Sequence, residues 1–445
     1  MIEEMKRIIE QTKGIRGLMT HDELALLCRF ARSASSIAEL GCYQGRSLIA
    51  MGLTNPDAQL YGIDWFGDMS YRGYEGSTFE KTRFNLTSRG VKAEIYVGRT
   101  DEIAPKFDHE IDLLHIDAGH SYEECLNDLN NYTPKIRPGG AVCIHDYGTA
   151  QKKELERPEV MDAVNDWAEA NPDWVEVERA GTMIAFRHMI APEGVLYVAY
   201  GEKAVENVEN SIRSLRERLR ERDCLLTGRS ADASIATTEE KQMTGDGGRG
   251  TGKTELPIAV ITGRPPMGSD APTGVDHIIY HLDMDPGARN VKTRIYSLSP
   301  FYKTLYLDAD TEVWDDPQHG FDLLDKVDLV MGQDTVKIFN RNHHPHMVKE
   351  ETIQTRKETG GGEYAYYNTG VMFFTRNERV KALMQSWHQE WTRWCRQDQP
   401  AMFRAMFKKP VRIAAMRKPW NTHHSRDAKF VFHAHRRASR TGAPK

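Results

Sequence analysis

Between Ser36 and Phe186, short apolar runs alternate with stretches whose apolar positions recur at helical spacing. The runs are Ile37-Ala38-Glu39-Leu40, Gln59-Leu60-Tyr61-Gly62-Ile63, Ile111-Asp112-Leu113-Leu114-His115-Ile116 and Ala141-Val142-Cys143-Ile144. Strands that alternate with helices in this way predict a parallel, doubly wound α/β sheet of Rossmann-like type. Trp174-Val175-Glu176-Val177 and Thr182-Met183-Ile184-Ala185-Phe186 then flank Arg179-Ala180-Gly181, the pattern of an antiparallel hairpin that closes the sheet. A first domain is expected over 1–190.

The pattern then restarts. After Ala191-Pro192-Glu193-Gly194 comes a fresh strand, Val195 to Tyr200, and a helix with Val205, Val208, Ile212 and Leu215 on one face. A second α/β domain is expected over 195–435. From about Glu221 to Glu255 the composition becomes polar and rich in Gly, Ser and Thr, which predicts a flexible insertion. Gly247 to Thr254 matches the P-loop letters G-x-x-x-x-G-K-[ST], but Glu239-Glu240-Lys241-Gln242-Met243 precedes it and a strand pattern follows. A working phosphate loop needs a buried strand before it and a helix after it, so the match is a decoy. Trp387, Trp391 and Trp394 recur four and three apart, the spacing of one helical face packed into a core.

Bulk properties narrow the chemistry. At 445 residues a single core is improbable, and a net charge of −5 gives no electrostatic footprint for nucleic acid. The six cysteines are scattered without metal-like spacing, which suits reduced thiols in a cytoplasmic setting. The first residues lack the basic-then-apolar order of a signal peptide, and no apolar run is long enough to span a membrane. The basic end, 436–445, is expected to be a solvated terminus, with contact to an anionic membrane surface as the alternative.

In the front half, Glu39-Leu40-Gly41-Cys42-Tyr43-Gln44-Gly45-Arg46-Ser47 ends the first strand, where glycines let the turn pass close to a ligand. Asp64 ends the second strand, where a carboxylate accepts hydrogen bonds from both hydroxyls of a ribose. The pyrophosphate fingerprint G-x-G-x-x-G is absent, because position 43 is tyrosine, so a nucleoside without pyrophosphate fits better. Asp117 and Asp146 end two further strands, and with His145 they form a candidate divalent-cation site. His120 and His145 are the alternative, as general bases that deprotonate a hydroxyl.

These residues, together with Asp117-Ala118-Gly119-His120-Ser121-Tyr122, resemble the class I S-adenosylmethionine-dependent methyltransferases, particularly the small-molecule and sugar O-methyltransferase branch. The resemblance implies that Glu39 and Gly41 line the methionine end of the donor, with Gly45 and Ser47 in the same loop. It also implies that Asp64 binds the ribose and that Arg99-Thr100-Asp101 lies near the adenine. Metal-dependent relatives place an acidic or Asp-Asn pair 28 positions after an acidic residue. Here that position, counted from Asp117, holds His145, which puts Mg²⁺ at this site in question.

In the back half, Thr304-Leu305-Tyr306-Leu307-Asp308-Ala309-Asp310-Thr311-Glu312-Val313 is an apolar strand running into two carboxylates one residue apart. Carboxylates so placed hold Mn²⁺ or Mg²⁺, and the cation neutralises a diphosphate. The segment resembles the metal-binding motif of GT-A glycosyltransferases, especially the glycogenin-like family 8. Tyr367-Asn368-Thr369-Gly370-Val371 is similar to that family's N-[ST]-G strand, which makes Asn368 and Gly370 donor contacts. Asp398-Gln399-Pro400 is similar to its catalytic D-Q helix start, although proline stands where an acidic residue or glycine is usual. The resemblance further implies a third metal ligand at His433, with His435 as substitute, and donor contacts at Lys292 and Arg294.

Together the two resemblances imply a fusion of two transferases. One would transfer sugar from a nucleotide-diphosphate sugar to a hydroxyl acceptor with a divalent metal, and the other would methylate a hydroxyl, on a glycan, using S-adenosylmethionine. A silent methyltransferase-like binding module is one alternative, and metal-dependent oxidoreductase or hydroxylase chemistry in the front domain is another.

Overall fold

The computed structural model describes residues 2–67, 78–148, 158–227, 256–263, 272–281, 289–334, 346–362, 364–417, 421–422 and 430–433. The chain divides into two compact units: Met1–Ile190 with Tyr280–Leu282, and Ala191–Ile279 with Asp283–Lys445.

The front unit is built on seven strands: β1 (Ser36–Leu40), β2 (Gln59–Asp64), β3 (Glu94–Val97), β4 (Ile111–Ile116), β5 (Ile136–Ile144), β6 (Trp174–Ala180) and β7 (Met183–His188). They lie in the order β3-β2-β1-β4-β5-β7-β6. The first five run parallel, and β7 is antiparallel to both β5 and β6, so the expected hairpin closes the sheet. Every residue of β1 is buried, and two apolar clusters, one containing Leu26, Ile49 and Leu113 and the other Leu114, Leu129 and Trp167, fill the two sides. That is why the strand patterns are nearly continuous apolar runs, as a parallel sheet covered on both faces requires.

Around this sheet lie α1 (Ile2–Thr12), α2 (His21–Ala31), α3 (Arg46–Thr54), α4 (Thr78–Ser88), the single-turn α5 (Thr100–Ile103), α6 (Tyr122–Tyr132) and α7 (Pro158–Ala170). Capping boxes start two of them. Thr20 with Glu23 opens α2, and Ser121 with Glu124 opens α6. Each box satisfies backbone donors that a helix start leaves unpaired.

The back unit has β8 (Ala191–Ala199), β9 (Ile258–Thr262), β10 (His277–Tyr280), β11 (Phe301–Asp308), β12 (Thr311–Val313), β13 (Leu329–Gln333), β14 (Tyr367–Thr375), β15 (Ile413–Met416), β16 (Asn421–Thr422) and β17 (Val431–His433). Its main sheet has the order β10-β9-β8-β11-β14-β13-β15, and β12, β17 and β16 form a separate small sheet. Strand β14 runs antiparallel to both β11 and β13, whereas β8 is parallel to β9 and β11. Helices α8 (Glu202–Thr227), α9 (Arg289–Lys292), α10 (Ile295–Leu298), α11 (Gln318–Leu323), α12 (Lys349–Thr359), α13 (Glu378–Thr392) and α14 (Asp398–Lys408) complete it.

Two expectations need adjustment. Helix α8 continues to Thr227, so 221–227 of the expected insertion are helical, while the P-loop decoy lies outside the described residues. Trp387 and Trp391 are buried in α13, but Trp394 follows its last residue and is only half-buried. The helix ends before the three-residue step that would place Trp394 on the same face. Among the described residues no helix is long and apolar enough to cross a membrane. The basic tail and His435 lie outside the described residues.

Two candidate active sites

At one edge of the front sheet the backbone itself brings the predicted residues together. Leu40, Ile63, Ile116 and Ile144 stand level across β2-β1-β4-β5, so Gly41, Asp64, Asp117 and His145 leave the sheet along one edge. Backbone hydrogen bonds of 2.9 Å continue the ladder from Gly41 to Ile63, Asp117 to Leu40 and His145 to Ile116. Gly41 has φ +86°, and a Cβ there would lie 1.9 Å from the Asp117 carbonyl oxygen. Only glycine allows that approach.

The glycine-rich turn is held from several directions. Asp64 accepts the Tyr43 N–H at 2.7 Å and the Phe66 N–H at 2.8 Å. Burial raises the Asp64 carboxyl, and these backbone donors partly offset the rise. From α4, Thr82 donates to the Tyr43 carbonyl at 2.7 Å and Asn85 to the Gln44 carbonyl at 3.0 Å. Arg46 reaches back to the carbonyls of Gly17 and Met19. Gly45, at φ +81°, caps α3, and Ser47 is buried in its first turn.

Glu39 is fully buried and meets His115 Nδ1 at 2.8 Å, while its Oε2 has no hydrogen-bond partner among the described residues. Asp101 sits in α5, exposed and paired with Arg99 at 3.2 Å.

Beside this turn, Asp117, His120 and Asp146 each offer a ligand atom, all within 4.8 Å of one another. His120 Nε2 lies 2.8 Å from Asp146 Oδ2. Asp146 adopts φ +60°, unusual for a residue with a side chain. His145 is placed differently from the trio. Its ring is buried, with Nδ1 3.4 Å from Asp117 and 3.3 Å from Asp146, and Nε2 3.5 Å from Glu23. These distances are ionic contacts, longer than charge-assisted hydrogen bonds.

Burial alone would lower the His145 imidazolium, but Asp117, Asp146 and Glu23 push it up to about 12. An imidazole held this way keeps its proton near neutral pH, so the geometry suits a fixed cation and not a general base. Burial would raise Asp117 and Asp146, and the neighbouring histidines hold both below the usual carboxylate range. Glu23, which completes this set, was missed in the sequence. Its Oε1 also accepts from Thr182, 2.7 Å from the N–H, and the capping-box spacing Thr20-x-x-Glu23 was the available signal.

In the back unit four separated segments converge. Lys292 Nζ, at the end of α9, lies 2.9 Å from Asp308 Oδ1 and 3.0 Å from Asp398 Oδ2. Burial would lower its ammonium, and the two carboxylates push it up to about 12. Asp308 Oδ1 also accepts from Tyr306 at 2.8 Å, and Asp398 Oδ2 from Thr369 at 2.6 Å. Burial would raise Asp398, but Lys292 and Thr369 hold it below its ordinary value.

The N-[ST]-G strand is antiparallel to β11 with Val371 opposite Leu307, so continuing the register sets Gly370 beside Asp308. Asn368 Oδ1 accepts the Gly370 N–H at 2.7 Å. Gln399 donates to Asp334 at 2.7 Å, and Asp334, at the end of β13, is a second residue the sequence did not reveal. Arg294 is buried, its Nε on the Asn290 carbonyl at 3.2 Å. Asp310 follows Asp308 in the turn to β12, and β17 pairs with β12 so that the His433 backbone stands opposite Thr311, one residue from Asp310.

Comparison with known proteins agrees with this division. Residues 38–147 match the family model of a methyltransferase domain, and residues 299–425 match that of a nucleotide-diphospho-sugar transferase. No curated protein matches the chain. Similar solved structures include the O-methyltransferase TomG from Streptomyces achromogenes, involved in tomaymycin synthesis and solved with SAM. It is 19% identical, covering 42% of this chain and 89% of that one, with a TM-score of 0.30. A methyltransferase from Podospora anserina solved with SAH is 13% identical, covering 42% and 88%, with a TM-score of 0.33. The chain joins a methyltransferase domain to a nucleotide-diphospho-sugar transferase domain.

Proposed function

We propose that this protein, a methyltransferase domain fused to a nucleotide-sugar transferase domain, is a bifunctional enzyme acting on hydroxyl groups. The front unit methylates a hydroxyl from S-adenosylmethionine, and the back unit transfers a sugar from a nucleotide diphosphate to a hydroxyl acceptor, with a glycan as the common substrate class. The observation that carries the reading is the convergence of Asp308, Lys292, Thr369 and Asp398 from four separate segments on one cluster.

S-adenosylmethionine fits the front edge, because Glu39 keeps one buried oxygen without a partner among the described residues and the Gly41 turn leaves no room for a side chain. When bound, it supplies an electrophilic methyl group. Glu39 receives the donor's ammonium group, and Asp64 retains lone pairs for the ribose hydroxyls. Asp101, on α5, stands at the adenine end. His120 acts as the base. Asp146 binds its Nε2, which leaves Nδ1 to take the acceptor proton. His145 holds the two aspartates through its Nδ1.

The cluster of Asp117, His120 and Asp146 favours a second reading, in which these residues hold a cation and His120 is a ligand. Two carboxylates and an imidazole suit Mn²⁺ better than the Mg²⁺ considered from the sequence.

A divalent cation also fits the back unit, where Asp308 has one oxygen not taken by Lys292 or Tyr306, and Asp310 and His433 supply the other ligands. When bound, the cation neutralises the departing diphosphate. Lys292 uses two of its three protons on Asp308 and Asp398 and keeps one for the donor. Arg294, two residues further along the chain, is a second donor contact. Asn368 and Gly370 line the donor, and Asp398 and Gln399 face the acceptor step. A reducing, cytoplasmic setting suits the buried free thiols of Cys28, Cys42, Cys125 and Cys143.

The test is a nucleotide-sugar panel with Mn²⁺, measuring turnover by the full chain. Turnover should appear with one or more donors and vanish in an Asp308→Ala, Asp310→Ala double variant. Turnover that survives both changes in the presence of EDTA would remove the metal-site reading. Calorimetry with S-adenosylmethionine should show binding weakened at least tenfold by Asp64→Ala, and no binding at millimolar donor would leave the front unit a non-catalytic module.

A further inference from the structure

A chain of buried hydroxyls runs from β8 and α8 to Thr311, the residue that follows the Asp308-Ala309-Asp310 turn, and none of its members has a role in the site described above. Tyr197, on β8, meets Ser211, on α8, at 3.0 Å; Ser211 meets Thr311 at 2.9 Å; and Thr311 lies 2.7 Å from the Asp308 carbonyl oxygen. Tyr197 and Ser211 are fully buried, and Thr311 is 3% exposed.

The direction of donation is fixed by counting protons. A carbonyl can only accept, so the single Thr311 proton goes to Asp308. Ser211 must then donate to Thr311, and Tyr197 to Ser211. Each bond polarises the next, so the chain is stiffer than three separate contacts. One helical turn further along α8, Ser214 accepts the Val313 N–H at 2.9 Å and donates to the Ser211 carbonyl at 2.8 Å. Helix α8 thus grips β12 at two points three residues apart, on one face.

Thr311 is the point where the candidate ligands meet. It follows Asp310 directly, it ties down the Asp308 backbone, and its own backbone stands opposite His433 in the β12–β17 pair. We propose that Thr311, oriented by Ser211 and Tyr197, is the positioning residue of the back unit's metal centre, setting the relative placement of Asp308, Asp310 and His433. The single Thr311 hydroxyl proton is spent on the Asp308 carbonyl, so Thr311 acts through the backbone of the residues read as ligands. The inference rests on the reading of Asp308 and Asp310 as metal ligands.

The test uses the full chain carrying His120→Ala, which takes a ligand from the front cluster and serves as the parent here, with free Mn²⁺ followed by its paramagnetic resonance signal. Thr311→Val keeps the shape and removes the hydroxyl, and Thr311→Ser keeps the hydroxyl and removes the methyl. Residues that orient ligands typically change metal affinity by about 10–100-fold when altered. Thr311→Val should weaken Mn²⁺ binding about tenfold or more, Tyr197→Phe should weaken it less, and Thr311→Ser should bind within about threefold of the parent. Without Mn²⁺, the back unit's own unfolding transition in scanning calorimetry should stay cooperative and near the parent's in all three, which reports that the unit carrying each substitution is folded.

Mn²⁺ binding by Thr311→Val at the parent affinity would overturn the positioning role alone. A loss in Thr311→Ser as large as in Thr311→Val would also overturn it, because packing and not the hydroxyl would then be responsible. A parent chain that binds no Mn²⁺ would overturn the metal reading and this inference with it.

Discussion

Single residues carry the sharpest consequences. Gly41 combines φ +86° with a hypothetical Cβ 1.9 Å from a backbone oxygen, so Gly41→Ala must push apart the ends of β1 and β4. The expected cost is about 3 kcal/mol or more of front-unit stability, with loss of S-adenosylmethionine binding, read by calorimetry. Asp64 and Asp308 were legible because strand-end carboxylates beside a glycine turn or one residue from another carboxylate form spacing patterns. Glu23 and Asp334 were not, because their importance arises from partners far along the chain, His145 and Gln399, which no local pattern names. The roles of His120 and His145 were also undecidable in sequence. They are 25 residues apart and of one type, and burial distinguishes the half-buried ring of His120 on Asp146 from the buried ring of His145 enclosed by three carboxylates.

At the scale of elements, β1, β2, β4 to β8 and β11 were predicted by their apolar runs, whereas β3, β10, β13 and β15 were not named, and β12, β16 and β17, of two or three residues each, were too short to show periodicity. Helix α6 carries a prediction of its own. Asp128 on its buried face is 2% exposed, and burial raises its carboxyl from 3.8 to about 7. Because the folded value is the higher, the native state holds the proton more tightly. The contribution to stability is complete below about pH 4 and is lost as pH rises through about 7. Asp128→Asn, which keeps the neutral shape, should therefore raise the front unit's unfolding free energy at pH 8 by about 1–3 kcal/mol, with a higher midpoint, and change both little at pH 4. Equal midpoints for parent and variant at pH 8 would show that the carboxyl is not held neutral.

At the scale of the whole molecule, each unit has its own sheet and its own apolar clusters. The two sheets share the order of their first four strands and diverge afterwards, which is how similar strand patterns support two chemistries. Scanning calorimetry should accordingly resolve two unfolding transitions, the first-domain one raised by S-adenosylmethionine alone and the other by Mn²⁺ alone. The most direct test of a two-site enzyme is a crossed assay on one preparation, scoring transfer of labelled methyl and of labelled sugar to a hydroxyl acceptor in the parent chain, Asp64→Ala and Asp308→Ala. The parent should perform both transfers, Asp64→Ala should lose only methyl transfer, and Asp308→Ala only sugar transfer. A parent chain lacking either activity, or one substitution abolishing both, would contradict two independent active sites.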